Sequence, residues 1–78
     1  MATLVSAVNT TFTPAVGTFD VQCTGGDVRL DRRNTAGAAW AIVGNISNGQ
    51  CFVVDNPVGS VQYQFVTLSG SPTVQADQ

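Results

Sequence analysis

The sequence predicts an all-β fold, a compact antiparallel β-sandwich or small barrel of six to seven short strands. Apolar and polar residues alternate in several segments, as they do in half-buried strands. Gly, Asn or Pro separates these segments at intervals of about 8–12 residues, which is typical of such folds. The composition includes twelve Val and nine Thr but no Glu and no Lys. A helical bundle is therefore not expected.

The first half of the chain contains two clearly alternating segments. Residues 18–24 have apolar side chains at the odd positions, and residues 28–32 alternate again, with Val28 and Leu30 facing inward. Gly25 and Gly26 between these segments predict a turn. Residues 33–37 predict a hairpin turn, because Asn and Gly tolerate a positive φ.

The second half of the chain predicts four further strands. Residues 38–43 would place Trp40 and Ile42 on one inward face. Residues 50–54 are apolar on both faces, which predicts a strand buried on both sides. In the next strand, Val61, Tyr63 and Phe65 would share a buried face. A last short strand would cover residues 73–76, after a turn at 69–72.

The chain is predicted to form one domain, residues 1–78. Residues 1–13 would be an N-terminal arm or an edge strand, and residues 69–78 a C-terminal strand or tail. Both are candidates for strand addition to a neighbouring subunit. The first residues do not resemble a secretory signal, so we expect synthesis in the cytosol.

A chain of 78 residues is small enough that its core alone barely stabilises it, so a disulfide or a partner is expected to contribute. Cys23 and Cys51 could form a disulfide that closes a loop of about 28 residues. Alternatively, both remain reduced and act as small hydrophobic side chains in the core. No metal or cofactor is expected, since there is no His and the two Cys are distant in the sequence.

The charged residues argue against two functional classes. The net charge of −2 makes a nucleic-acid module improbable, and the chain lacks the common catalytic bases His and Lys. The remaining aspartates could in principle form a catalytic carboxylate pair. Asp31 lies two residues after Arg29 and next to Arg32, so a surface ion pair is the simpler interpretation. We therefore predict no enzymatic activity. A separate observation concerns membranes: no apolar run is long enough to span one.

All positive charges lie in residues 29–33. Arg29, Arg32 and Arg33 are therefore the candidate interface residues, because Arg is favoured where proteins bind acidic partners. The alternatives are a solvated strand face and a weak nucleic-acid patch.

The aromatic residues are interpreted mainly as core residues. Trp40 and Tyr63 could form a sugar-binding platform, but their alternation with Ile42 and Phe65 favours packing. Residues 55–65 resemble the tyrosine corner of immunoglobulin-like sandwiches, and Cys23 followed by Trp40 is similar to a pair in that fold. Phe65 stands where the second Cys of the pattern would fall. The predicted core residues are Phe19, Cys23, Trp40, Cys51, Tyr63 and Phe65.

Three segments together carry a second resemblance. Residues 28–32, 37–40 and 53–65 contain a strand with Arg, a hairpin with Gly and Trp, and then Pro, Gly and Tyr. In this order they resemble small β-sandwich structural proteins of tailed bacteriophages, among which head decoration (cement) proteins are the best match for so short a chain.

The resemblance implies a virion protein made in the host bacterial cytoplasm and seated on the capsid surface, bound to the major capsid protein or another virion protein. A homo-oligomer, trimer or dimer, is expected, since association would add stability. The alternatives are a neck, tail or head-fibre protein, and a small glycan-binding or ligand-binding β module. The resemblance transfers no functional residue to this chain.

Overall fold

The computed structural model describes residues 2–78 and shows a five-stranded antiparallel sheet. The predictions of an all-β chain and of antiparallel pairing are confirmed. In chain order the strands are β1 (Thr3–Val5), β2 (Gly17–Arg33), β3 (Ala41–Ile46), β4 (Cys51–Asn56) and β5 (Gln62–Asp77). The predicted hairpin turn begins at the last residue of β2, Arg33, and continues into the loop between β2 and β3, where Gly37 has a φ of 84°.

The long strand β2 organises the sheet. One side of β2 pairs with β5 along nearly its whole length, from Asp20 opposite Asp77 to Arg33 opposite Gln62. The other side is shared, since β4 pairs with the first part of β2 and β3 with the second part. The short strand β1 pairs with the end of β5. Every other strand therefore lies against β2 or against its partner β5.

Two predicted turns are instead bends inside long strands, which is why there are five strands rather than six or seven. The register of β2 against β5 shifts between Thr24 and Gly26, but pairing continues on both sides. A Cβ atom added to Gly25 would lie 2.9 Å from the Ser71 carbonyl oxygen, and one added to Gly70 would lie 2.9 Å from the Gly25 oxygen. Glycine thus lets the two backbones approach closely while both strands bend.

The register shift explains the alternation seen in the sequence. Before the bend the buried apolar residues of β2 are at odd positions, and after it they are at even positions. Both parts of the strand therefore face the same core. The rings of Phe19, before the bend, and Tyr63, paired with the part after it, are in edge contact at 5.0 Å between centroids.

The core contains four of the six residues predicted for it. Phe19, Cys23, Tyr63 and Phe65 are all buried. The other buried apolar side chains complete one cluster: Val5, Phe12, Val21, Val28, Leu30, Ile46, Val54, Val61, Val74 and Ala76.

The predicted core positions of Cys51 and Trp40 are wrong. Cys51 is exposed, because β4 is an edge strand and Cys51 lies opposite Gln22 on the outer face of the sheet. Trp40 is half-buried and precedes β3, so it lies outside the core cluster. Ile42 is exposed as well, so it does not share an inward face with Trp40.

The segments proposed for strand addition are paired within the chain. Thr3 lies opposite Asp77 and Val5 opposite Ala76, so β1 is an edge strand rather than a free arm. The predicted tail, residues 69–78, forms the second part of β5 up to Asp77 and is not a separate strand. The part of the predicted arm at Met1 lies outside the described residues.

Candidate protein-binding surface

Arg29 forms an ion pair with Asp31 two residues along β2. Its Nε donates to Oδ1 at 2.7 Å and its Nη2 to Oδ2 at 3.0 Å. The two side chains meet because residues i and i+2 of a strand point to the same face. The hydrogen bond to Asp31 raises the pKa of Arg29. The predicted ion pair is present, but Asp31 is only 1% exposed, so it is not the solvated surface pair that the sequence suggested.

Arg32 and Arg33 bind neutral partners instead. Arg33 donates from Nε to the Gln62 side-chain oxygen at 2.8 Å, and its guanidinium carbon lies 4.2 Å from the centroid of the Trp40 ring. Arg32 donates to the Asn34 side-chain oxygen at 3.3 Å. The ion pair of Arg29 is the only one among residues 2–78. Of the three candidate interface residues, Arg32 and Arg33 therefore keep an uncompensated charge.

The three arginines do not form one patch. Successive side chains of a strand point to opposite faces, so Arg29 and Arg33 share a face that Arg32 does not. The Arg33 guanidinium also covers one face of the Trp40 ring. This leaves less of the ring available for stacking on a sugar.

Acidic residues gather at the other end of β2. Asp20 lies directly opposite Asp77, and Gln75 donates to both carboxylate oxygens of Asp77, at 2.9 and 3.0 Å. Asp55 follows on β4. Among residues 2–78 no group of three or more His, Cys, Asp or Glu is placed to hold a metal ion. The arginines and these aspartates thus lie at opposite ends of β2 along the chain, but the bend brings the two ends together, since Phe19 contacts Tyr63, which lies opposite Arg32.

The outer edge of the sheet exposes large apolar side chains. Ile42 is 66% exposed and Val53 60%. Val43 and Phe52 are partly exposed beside them. A shallow groove of about 420 Å³ adjoins β4 and is lined by Asp20, Val21, Gln22, Cys51, Phe52, Val53 and Asp77. We call the β3–β4 segment that carries Ile42, Val43, Phe52 and Val53 the apolar edge.

The sequence alone did not identify this apolar edge. Ile42, Phe52 and Val53 were interpreted as buried because they are apolar, and hydropathy does not distinguish a central strand from an edge strand. One available signal was the absence of any charged residue from Asn34 to Val54, since exposed edges usually carry charges that prevent association.

Cys23 and Cys51 are both free thiols. Cys23 is on the inner face, where its Sγ donates to the Gly26 carbonyl at 3.1 Å, whereas Cys51 faces outward. Side chains on opposite faces of a sheet cannot form a disulfide without backbone movement. Burial raises the pKa of the Cys23 thiol, and the negative charge of Asp27 raises it further.

No family model, curated protein or solved structure matches the chain. Among residues 2–78 there is no helix of the length and apolar character that crossing a membrane requires.

Proposed function

We propose that this chain is a non-enzymatic structural protein of a tailed bacteriophage virion, a head decoration protein that binds the major capsid protein. The observation that carries the proposal is the amount of apolar side chain left in contact with solvent. Seven large apolar residues of an 8.1 kDa chain are substantially exposed: Val16, Ile42, Val43, Phe52, Val53, Val58 and Leu68. Clustered exposed apolar residues mark surfaces that other proteins cover.

The low charge of the chain supports the same proposal. Charged residues make up only 10% of the sequence. Weak electrostatic repulsion favours the packing of many identical copies on a capsid surface. The identification of the partner as a capsid protein rests on the sequence resemblance to phage structural proteins.

The proposal includes the finer description of the fold. We propose that the two parts of the bent sheet act as the two layers of a small sandwich. The ring contact between Phe19 and Tyr63 supports two facing layers. The relation to immunoglobulin-like sandwiches rests on the sequence pattern alone.

Binding to capsids tests the proposed function directly. The purified chain is mixed with isolated, expanded capsids from the phage whose genome encodes it, and the capsids are sedimented. We expect saturable binding at a copy number fixed by capsid symmetry, and no binding to capsids of an unrelated phage. Because the contact is apolar, binding should persist in about 1 M salt, where charge interactions are screened within a few ångströms. Failure to sediment with the cognate capsids would contradict the proposal.

A further inference from the structure

The loop between β2 and β3, residues 34–40, bounds a groove of about 360 Å³ at the end of β2. Three polar side chains line it on one arm of the hairpin and three alanines on the other: Arg32, Arg33, Asn34, Ala38, Ala39 and Ala41. Ala38 donates its backbone N–H to the Thr35 carbonyl at 3.2 Å, which closes a turn at the tip of the loop. This turn holds the two arms of the loop in place. We call the cavity between them the arginine groove.

Arg33 is held at the arginine groove by neutral groups. Its Nε donates to the side-chain oxygen of Gln62 at 2.8 Å, and its guanidinium carbon lies 4.2 Å from the centroid of the Trp40 ring. Among residues 2–78 its two Nη groups donate to no acceptor. A guanidinium fixed in this way loses little further side-chain freedom when it binds an anion, and its unused edge presents the paired donors that a carboxylate accepts.

No acidic side chain in the described part of the chain forms an ion pair with Arg33. Asp31 lies on the same face of β2, but both of its carboxylate oxygens already accept hydrogen bonds from another arginine. Asp55 and Arg32 both act on the phenol of Tyr63, so Asp55 offsets part of the charge of Arg32. Arg33 is therefore the principal cation of the arginine groove, and Arg32 is the second.

A protein carboxylate fits the arginine groove better than a nucleic acid does. The chain has a net charge of −2 and three cations, one of which is already paired, whereas nucleic-acid binding depends on neutralising several phosphates. Arg33 covers one face of the Trp40 ring, which restricts the stacking of a base on it. The alanine methyl groups on the facing arm suit the methylene groups of an acidic side chain, since binding pockets combine apolar walls with a few polar groups.

We propose that the arginine groove binds a carboxylate from an acidic segment of another protein, with Arg33 as the bidentate donor and Arg32 as a second cation. This inference deepens the proposed function and rests on it for the identity of the partner, the capsid protein. The contact between guanidinium and carboxylate orients the chain on its partner and speeds association, because exposed ion pairs add little affinity. The exposed apolar side chains supply most of the affinity.

Titration with an acidic peptide tests the arginine groove without capsids. The probe is a short peptide of alternating Glu and Ala, capped at both ends. Trp40 is the only tryptophan of the chain, so its fluorescence reports binding beside Arg33. We expect a saturable change at low ionic strength, and none with the peptide in which Gln replaces Glu. Backbone amide NMR shifts should change within residues 32–41 and stay constant in β4.

Arg33→Gln should raise the dissociation constant for the acidic peptide at least about tenfold, because the paired donors are lost. Gln50→Glu is the matched control, since it changes the net charge by the same amount and should leave binding unchanged. Gln50 is exposed in the turn between β3 and β4, and its side-chain oxygen accepts a hydrogen bond from Ser47 that Glu can also accept. NMR shifts give the constants of both variants, because removing Arg33 by itself alters Trp40 fluorescence.

Circular dichroism verifies that the variants fold. If Arg33→Gln does not fold, Arg33→Lys replaces it. Lys keeps the charge but lacks the planar fork of donors, so the dissociation constant should still rise at least about threefold.

Equal binding by the natural chain and Arg33→Gln, or equal weakening by Arg33→Gln and Gln50→Glu, would overturn the inference. Tighter binding of inorganic phosphate or of a single-stranded oligonucleotide than of the acidic peptide would overturn it as well. A chain that does not bind the peptide but still sediments with capsids would overturn it while leaving the proposed function intact. A chain that binds the peptide through Arg33 but binds no capsid would support the arginine groove and contradict the proposed function.

Discussion

The phenol of Tyr63 donates a hydrogen bond of 3.1 Å to the side-chain oxygen of Asn56, and both residues are completely buried. Asn56 in turn donates to the carbonyls of Pro14 and Ala15, at 3.1 and 2.9 Å. This network joins β5 to β4 and to the segment that leads into β2. The Tyr63–Asn56 hydrogen bond spans the turn between β4 and β5.

The first prediction concerns this network. Tyr63→Phe should lower the free energy of unfolding by about 1–3 kcal/mol, because it leaves a buried acceptor on Asn56 unpaired. Urea unfolding measures the loss. In an Asn56→Ala background the same substitution should cost clearly less, since the acceptor is already gone. Equal losses in the two backgrounds would show that the hydrogen bond is not the cause.

The second prediction concerns alkaline pH. Burial raises the pKa of Tyr63 above its ordinary value of 10.0, an effect that Arg32 opposes and Asp55 reinforces. Burial likewise raises the pKa of Cys23 above 9.0. Both groups bind their protons more tightly when folded, so their stabilisation is complete below the unfolded pKa and is lost as the pH rises through the folded pKa.

Urea midpoints should therefore be flat near neutral pH and should fall above about pH 9. Tyr63→Phe should show a smaller fall over the same range, because one of the two groups is removed. A midpoint that rises between pH 8 and pH 10.5 would be incompatible with the burial of these groups.

The third prediction concerns the bend at which the backbones of the paired strands β2 and β5 approach closely. A Cβ atom at Gly26 would clash with the carbonyl oxygen of Ser69 and crowd Pro72. Gly26→Ala should therefore destabilise the protein by about 1–3 kcal/mol or more. Gly44→Ala is the control, because a Cβ atom there meets nothing within 4 Å. Thermal unfolding should separate the two variants, and similar melting temperatures would refute the close approach of the strands.

The fourth prediction concerns the thiols. Under native conditions at pH 8, a maleimide should modify Cys51 rapidly and Cys23 only on the timescale of unfolding, because thiol reactivity requires exposure and the thiolate form. Mass spectrometry of the labelled chain measures this difference. Cys51→Ser should abolish the rapid phase. Rapid labelling that persists in Cys51→Ser would mean that Cys23 is accessible.

The inward-facing residues of the long strands were predictable from the sequence. Alternation identified Phe19, Val21 and Cys23, and later Tyr63 and Phe65, because one face of each strand is covered and the other is not. The change of the apolar residues from odd to even positions after Gly25 was also visible in the sequence. It was interpreted as the end of one strand and the start of another, since a glycine pair is compatible with either a turn or a bend.

The edge position of β4 was not predictable, because it depends on pairing across the whole sheet. Cys51 and Val53 are apolar in sequence whether or not another strand lies beside them. The candidate site shows the same limit. Clustering in the sequence suggested that the three arginines share a surface and that Asp31 forms an ion pair, but only the structure shows that the pair is with Arg29 and that Asp31 is buried.

The pairing of β2 with β5 has a consequence for how the chain acquires its structure. Residues 34–61 separate these two strands, more than a third of the polypeptide, so a long loop must close before the pairing of β2 with β5 can form. Folding should consequently be slow for so short a chain. During translation, one edge of β2 would remain unpaired until β5 has emerged from the ribosome. Chaperones or nearby nascent chains could bind that edge in the interval.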